Sequence, residues 1–510
     1  MNMMSDPAAS TTIRQVWSEV LVVGGGGSGL AAAIEAASLG RSVNLLEKNA
    51  KLGGSTGRSV GSVTVSNSPH QLRDGVHDCP EHHLEDLGKI NAKLNLPTNV
   101  ELSRLLVENV TDTFRWLLDS GVEFFGPLPE PPHRKPRLHQ VLPNSRAFIY
   151  HLGKRARKLG VGIHTNIRAR EAIVENGAVV GMRCDTDDGP VEFRAHGTVL
   201  ATGDFGGNPD MVHRYIPAMA GVEPINPHNT GDGHLVALSL GGEIVHPQLH
   251  QGGIRFQAPP ERWITSLPPW RIVSRAMRLA MKYVPSWLLR PFLMSFLTSI
   301  LVPDPKLYRE GCILINKEGR RFADELGMPA PGLSQQPEQY GYILMDGNLA
   351  EKFSAWPYFI STAPGVAYAF VADYRRSRKD IFNEGRSLAE LAGRLGMVPE
   401  TLERTIADYN AGSERGGRPA LESGPYVALG PVRHMIQFTD SGVAVNGRLE
   451  VLGEGGEPVP GLFAAGFTGM GGALLWGHGH HLGWAFTSGR IAGRQAAYRA
   501  LTADLPAQHH

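Results

Sequence analysis

Val20-Leu-Val-Val-Gly-Gly-Gly-Gly-Ser-Gly29 is a short apolar run that breaks into a glycine turn. Four apolar residues without alternation mark a strand buried on both faces. Leu30 to Gly40 (LAAAIEAASLG) continues as an alanine-rich helix stopped by glycine, and Ser42 to Glu47 (SVNLLE) as a second strand tipped by a carboxylate. Strand, turn, helix and strand form one βαβ unit carrying G-x-G-x-x-G at Gly24, Gly26 and Gly29. Gly24 permits the tight turn, Gly26 lets backbone approach a pyrophosphate, and Gly29 lets the helix pack against the strand. The helix N-terminus faces the phosphates with its positive end. Glu47 stands 18 residues beyond Gly29, where a carboxylate accepts from ribose hydroxyls and disfavours a 2′-phosphate. The unit predicts a dinucleotide site.

The residues outward from this unit favour FAD over NAD. Lys51 to Gly61 (KLGGSTGRSVG) is a second cluster of glycine and hydroxyl residues directly after the second strand, as a chain wrapping the far half of FAD requires. Thr198 to Asn208 (TVLATGDFGGN) is another strand running into a glycine turn. Gly461 to Gly466 (GLFAAG) leads through a loop of glycine and histidine into the helix AFTSGRIAGRQAA. Only one dinucleotide fingerprint is present, so electrons are not expected from NAD(P)H bound on this chain.

A length of 510 residues predicts two or three domains, and 42% hydrophobic against 19% charged residues excludes a disordered chain. Sixty-one glycines without a G-x-y period exclude collagen. A formal charge of +1 gives no reason to expect nucleic acid. Three scattered cysteines, Cys79, Cys184 and Cys312, suit a cytoplasmic protein without a disulfide framework. Met1 to Gln15 is polar, so a disordered start over residues 1–15 and no signal peptide are expected.

Together these motifs resemble the flavoproteins of the fumarate reductase and succinate dehydrogenase type, which include the 3-ketosteroid Δ1-dehydrogenases. Thr230-Gly-Asp-Gly233 and Gly311 to Glu325 (GCILINKEGRRFADE) extend the resemblance over nearly the whole chain. It implies an α/β fold: a Rossmann-like FAD-binding domain, 16–243 with 430–510, and an inserted α+β cap domain, 244–429. It also implies cofactor contacts position by position. Gly24, Gly26, Ser28 and Gly29 match the pyrophosphate turn, and Glu47 the ribose acid, with Lys48 beside it. Gly54, Ser55, Thr56 and Gly61 match the segment along the ribityl chain and ring. Ala201, Thr202 and Gly203 match an ATGG-like turn, Asp232 the TGDG acid, Gly466 the end of GLFAAG, and Leu482-Gly483 a flavin-contacting pair. The segment STGRSVG lacks the histidine that respiratory members use for covalent attachment, so non-covalent FAD is expected.

Two departures separate the branches. Fumarate reductases resemble N-x-x-G-x-R-F-x-x-E followed by an arginine that delivers the proton; here the arginine position is Pro329. The last loop, Leu475-Trp-Gly-His-Gly-His-His-Leu-Gly-Trp-Ala-Phe-Thr-Ser-Gly489, follows the steroid dehydrogenase pattern instead, as does Phe467 after GLFAAG. The catalytic tyrosine of that pattern is Leu475, and a tyrosine-rich segment is replaced by GPLPEPPHRK at 126–135. His481, His478 and His480, in that order, are the candidates to move the proton, since imidazole titrates near neutral pH. His250 weakly echoes a substrate histidine of fumarate reductases, with His246 competing, and Tyr358 of the cap is the fallback. No metal spacing is present.

Trp263 to Pro303 contains no Asp or Glu. Arg271, Arg275, Arg278 and Lys282 fall on one helical stripe, and Pro285 to Pro303 is apolar but broken by Arg290 and Pro291. This amphipathic insertion reads as a peripheral membrane contact, or equally as a packed cap helix or the seam of a homo-oligomer. In each case it forms an apolar lid. The expected activity is FAD-dependent desaturation of the C–C bond beside a carbonyl, in a hydrophobic ketosteroid-like or cyclic ketone substrate, with a quinone or artificial electron acceptor. The alternatives are an enoate reductase fed by a quinol or redox partner, and a non-catalytic, flavin-bound membrane-associated protein.

Overall fold

The computed structural model describes residues 13–260, 267–298, 301–363 and 367–503. Its central sheet runs, edge to edge, through Glu450–Leu452, Pro458–Ala464, Gly197–Leu200, Val20–Val23, Val43–Glu47 and Gly162–Thr165. All neighbours are parallel except the first pair. The 20–23 strand lies in the interior of the sheet, and its four residues are buried, as a run apolar on both faces requires. The helix Gly27–Ser38 covers the sheet and crosses the last helix, His480–Ala503. Glycine permits that crossing: a Cβ on Gly489 would stand 2.3 Å from Ser28 O, and one on Gly493 2.2 Å from Ala32 O.

A second sheet is built on the long strand Tyr426–Thr439, which pairs with Glu223–Pro224, His250–Phe256, Tyr340–Met345 and Phe382–Gly385. Ile313–Asn316 completes its edge beside the 340–345 strand. Leu314, Ile343, Phe353, Leu391 and Val427 form the core of this half, separate from the core beneath the central sheet. The 426–439 strand runs through residue 430, so the halves are joined inside one continuous strand rather than by a linker. Arg14 and Gln15, expected in a disordered start, belong to the strand Arg14–Trp17, which pairs with Gly189–Arg194; residues 1–12 lie outside the described residues.

The insertion contains two helices, Arg271–Tyr283 and Ser286–Leu297, the second with Pro291 inside it. Residues 263–266 and 299–300 of the segment lie outside the described residues. The basic stripe is directed at protein: Arg271 Nε and Arg275 Nε lie 3.1 and 3.0 Å from Glu123 Oε1, and Arg278 Nη1 2.8 Å from Oε2. Against the upward push of burial, these bonds and charges hold the Glu123 carboxyl below its usual range. The outward side instead exposes Trp270, Ile272, Leu279, Tyr283, Trp287 and Leu288. Among the described residues no helix is long and apolar enough to cross a membrane.

Candidate active site

A cavity of about 1830 Å³ lies between the glycine turns, the second sheet and the lid helices. It exceeds the roughly 300–1,000 Å³ of an ordinary small-molecule pocket, which leaves room for a cofactor and a substrate together.

Its cofactor side is made of backbone. Gly24 has φ +112°, and a Cβ there would meet Ala201 O at 2.2 Å; one on Gly29 would meet Gly24 O at 1.8 Å. These two glycines hold the turn against the sheet. Gly26 differs: a Cβ there would find only Gly53 O, at 4.0 Å, so its open side is a cradle that a side chain would fill. Gly53 and Gly54, both at positive φ, stand opposite it. Glu47 takes Gly25 N at 2.8 Å on Oε2, and Asn49 N and Nδ2 at 2.9 and 2.6 Å on Oε1. A carboxylate has about four lone-pair sites, so Glu47 retains acceptor capacity on the cavity wall. Thr56 Oγ1 accepts from Gly27 N at 3.1 Å, and Lys48 pairs with Asp232 at 2.8 Å, itself bound by Arg168 at 2.8 Å. Against the upward push of burial, Lys48 and Arg168 hold the Asp232 carboxyl below its usual range. Thr202 Oγ1 accepts from Gly233 N at 3.0 Å, tying the 201–203 turn to the TGDG turn. Gly24, Gly26, Ser28, Glu47, Lys48, Gly54, Ser55, Thr56, Gly61, Ala201, Thr202, Gly203, Asp232, Gly466 and Leu482 all line the cavity. Gly29 and Gly483 do not; Gly29 packs on the turn, and a Cβ on Gly483 would meet Val110 at 3.4 Å. The backbone cradle at a helix N-terminus, with an acid at the strand tip, fits FAD.

The four candidate histidines divide. His481 lines the cavity with Nε2 2.6 Å from Asp440 Oδ1, and its ring stacks on Phe467 at 5.1 Å between centroids. Gln251 donates to the other oxygen of Asp440 at 3.1 Å. An ionised carboxylate only accepts, so Nε2 carries a proton, and in the neutral ring the lone pair is on Nδ1. His478 also lines the cavity; its Nδ1 bonds Glu130 Oε1, which takes the His478 backbone N–H at 2.9 Å as well. The bond to Glu130 holds the His478 imidazole above its ordinary range, against burial. His480 stands behind the wall, fully buried, with Nε2 3.0 Å from His83 Nε2, and burial pushes both imidazoles far below their usual range. His250 is likewise off the cavity; its Nδ1 lies 3.0 Å from Gln248 O while the next residue, Gln251, reaches the wall. His246 bonds Pro97 O at 2.8 Å, and Tyr358 carries Lys306 and Lys352 over its ring, neither on the cavity wall. Pro329 begins a short helix, and Glu325 before it is bound by Arg321 at 2.8 Å. Among the described residues no cluster of three or more His, Cys, Asp or Glu is placed to hold a metal.

The sequence did not single out Asp440 or Glu130. Nor did it mark Arg255, Arg433 and Gln437, which line the cavity from the second sheet. Arg255 Nη2 lies 2.5 Å from Gln437 Oε1, and burial lowers its pKa. The lid contributes Met277, Met281, Val284, Phe292, Leu293 and Leu297 to the same cavity.

The family model described as "FAD binding domain" matches residues 19–278 and 284–475. The chain belongs to this FAD binding domain family. Its cofactor is FAD, and the chain falls within the fumarate reductase and succinate dehydrogenase flavoprotein superfamily. It is 27% identical to the NADH:acrylate oxidoreductase of Vibrio harveyi over 96% of its own length and 51% of that protein's, so the chain spans about half of that relative. Among solved structures, the open conformation of a flavocytochrome c3 fumarate reductase superposes with a TM-score of 0.73 at 26% identity, over 95% of this chain and 79% of that one. The 3-ketosteroid-Δ4-(5α)-dehydrogenase of Rhodococcus jostii RHA1 shares the fold, with a TM-score of 0.59 at 24% identity over 96% and 99% of the two chains.

Proposed function

We propose that this FAD binding domain family member desaturates the C–C bond beside a carbonyl in a bulky, mostly apolar substrate. The observation that carries the reading is that two histidines lining the cavity, His481 and His478, are each paired with a buried carboxylate, Asp440 and Glu130, in a cavity that the apolar lid also lines. His481, with Nε2 committed to Asp440, offers Nδ1 as the base for the α-proton. His478, favoured in its charged form by Glu130, offers positive charge to the carbonyl oxygen as an enolate develops. The lid helices exclude water. FAD, when bound, supplies the hydride acceptor; Gly26, Glu47 and the second glycine turn would hold it. A quinone is the proposed acceptor of the electrons, and the apolar outer face of the lid is the proposed contact with a membrane surface.

A second reading runs the same groups backward, as reduction of an α,β-unsaturated carbonyl compound. The named activities of the relatives, an acrylate oxidoreductase and a fumarate reductase, favour it. The two directions separate under anaerobic conditions. Bleaching of the oxidised flavin by saturated cyclic ketones supports desaturation. Reoxidation of dithionite-reduced flavin by enones or enoates, without such bleaching, supports reduction. Neither response across a carbonyl panel would leave the non-catalytic reading.

A further inference from the structure

Asp204 is buried directly after Ala201-Thr-Gly203, and its carboxylate sets the direction of a hydrogen-bond chain that ends on the cavity wall. Oδ1 accepts from Gly206 N at 2.7 Å, and Oδ2 from Asn229 Nδ2 at 2.5 Å. Because an ionised carboxylate only accepts, Asn229 must turn its nitrogen toward Asp204. The second hydrogen of that nitrogen goes to Ser55 Oγ at 2.9 Å. The Asn229 oxygen then faces Asn226 Nδ2 at 2.9 Å, so Asn226 also presents nitrogen. Its other hydrogen goes to Ser55 Oγ, again at 2.9 Å.

A serine hydroxyl has two lone pairs and one hydrogen. The two amides occupy both lone pairs of Ser55, and the hydrogen is what it has left to offer. Among the described residues no protein acceptor is bonded to that hydrogen. Ser55, Asn226 and Asn229 line the cavity, with Ser55 beside Gly54 in the second glycine turn. We propose that Asp204 is a positioning residue that, through Asn229 and Asn226, fixes the Ser55 hydroxyl as a hydrogen-bond donor to bound FAD. A ligand oxygen or unprotonated ring nitrogen can take that hydrogen, whereas a donor placed there is refused. With an amide at 204, nothing forces the Asn229 orientation, and the Ser55 hydroxyl is free to turn. Burial pushes the Asp204 carboxyl up to about 6, so the fold keeps an ionised group here at a cost.

The test is the FAD dissociation constant, followed by flavin fluorescence as holoprotein is diluted. Ser55→Ala is expected to weaken binding several-fold to about tenfold, the range of one neutral hydrogen bond. Ser55→Thr, which keeps the hydroxyl, should stay within about twofold of the parent. Asp204→Asn should weaken binding measurably, but by no more than Ser55→Ala. The double variant should bind no more weakly than Ser55→Ala alone, because Asp204 acts through Ser55. Should Asp204→Asn fail to fold, Asn226→Ala takes its place in the cycle, since it frees one lone pair of Ser55. Parental affinity in Ser55→Ala or in Asp204→Asn overturns the proposal, as does a loss in Asp204→Asn that persists in full on the Ser55→Ala background. The measurement involves no substrate, so failure of the desaturase reading leaves it intact.

Discussion

His481 Nε2 and Asp440 Oδ1 meet at 2.6 Å behind the cavity wall, with the carboxylate wholly buried and the imidazole, which lines the cavity, stacked on Phe467. The contact fixes both the ring orientation and the tautomer of the residue best placed to move a proton. His481→Ala should therefore lose about 10²–10⁴-fold in turnover while keeping its flavin. Asp440→Asn should lose less, because the amide permits the other tautomer without removing the base. Steady-state rates, with flavin absorbance to verify occupancy, check both. Turnover within a few-fold of the parent in His481→Ala would place the proton carrier elsewhere.

His478 makes a pH-dependent contribution whose sign follows from Glu130. The bond to Glu130 raises the folded-state pKa of the imidazole above the unfolded value of about 6.5. Its stabilisation is fully present below that unfolded value and is lost as pH rises through the folded one. Glu130→Gln removes the cause of the shift. The stability difference between parent and variant should then be largest near pH 6 and shrink toward pH 9, in a series of thermal midpoints. A difference constant across that range would show that Glu130 does not bias His478.

The parts legible in the sequence were those whose partners are close along the chain or whose residue type is dictated by backbone. Gly24, Gly26, Gly29 and Glu47 fall in one βαβ unit, so spacing alone placed them. The unread parts join distant segments. Glu130 reaches His478 across 348 residues, and Arg271 reaches Glu123 across 148. The helical period revealed the arginine stripe but carried no record of the acid it faces. The histidines of the last loop were visible as a group. Their division into two on the wall and one behind it follows from where the 480–503 helix starts, at His480.

Gly26 and its neighbours should separate cofactor binding from folding. A Cβ on Gly26 meets no protein atom closer than 4.0 Å, whereas Cβ atoms on Gly24 and Gly29 would stand 2.2 and 1.8 Å from carbonyl oxygens. Gly26→Val should therefore fold yet lose FAD, because the side chain fills the cradle. Gly24→Ala and Gly29→Ala should be destabilised with or without flavin. Circular dichroism and flavin absorbance distinguish the cases. Normal flavin content in Gly26→Val would move the phosphate site off this turn.

The lid should bind anionic lipid through its apolar outer face more than through its arginines. Arg271, Arg275 and Arg278 share Glu123, and Arg290 is bound to Asp373 at 2.6 Å. Ile272 and Trp287 are exposed, and transfer of such side chains from water contributes about 1.5–3 kcal/mol each when complete. The double change Ile272→Ser with Trp287→Ser should weaken co-sedimentation with phosphatidylserine-containing vesicles about tenfold or more. Lys282→Glu should have a smaller effect, since one surface charge contributes about 1 kcal/mol. No vesicle binding by the parent at low salt would leave the lid as a cavity cover alone.

Asp204 should make the protein less stable as pH rises, opposite to the usual behaviour of a carboxylate. Burial raises its folded pKa to about 6, from an ordinary value of 3.8, so the folded state binds the proton more tightly than the unfolded chain. Stability from this group is fully present below about pH 3.8 and is lost as pH climbs through about 6. The shift of roughly two units corresponds to about 3 kcal/mol. Its bonding partners are the Gly206 and Thr439 amides and Asn229. On the adjoining segments Asp232 is engaged with Lys48, and Asp440 with His481. Asp204→Asn keeps a neutral side chain of the same shape at every pH. The thermal midpoint of the variant should therefore gain on that of the parent as pH is raised from 4 to 7.5, with the steepest change near pH 5, midway between the two values, and a levelling above pH 6. Because the comparison is a slope, any fixed cost of the amide cancels. A gap that stays level over that range would mean that Asp204 titrates as an ordinary surface carboxylate.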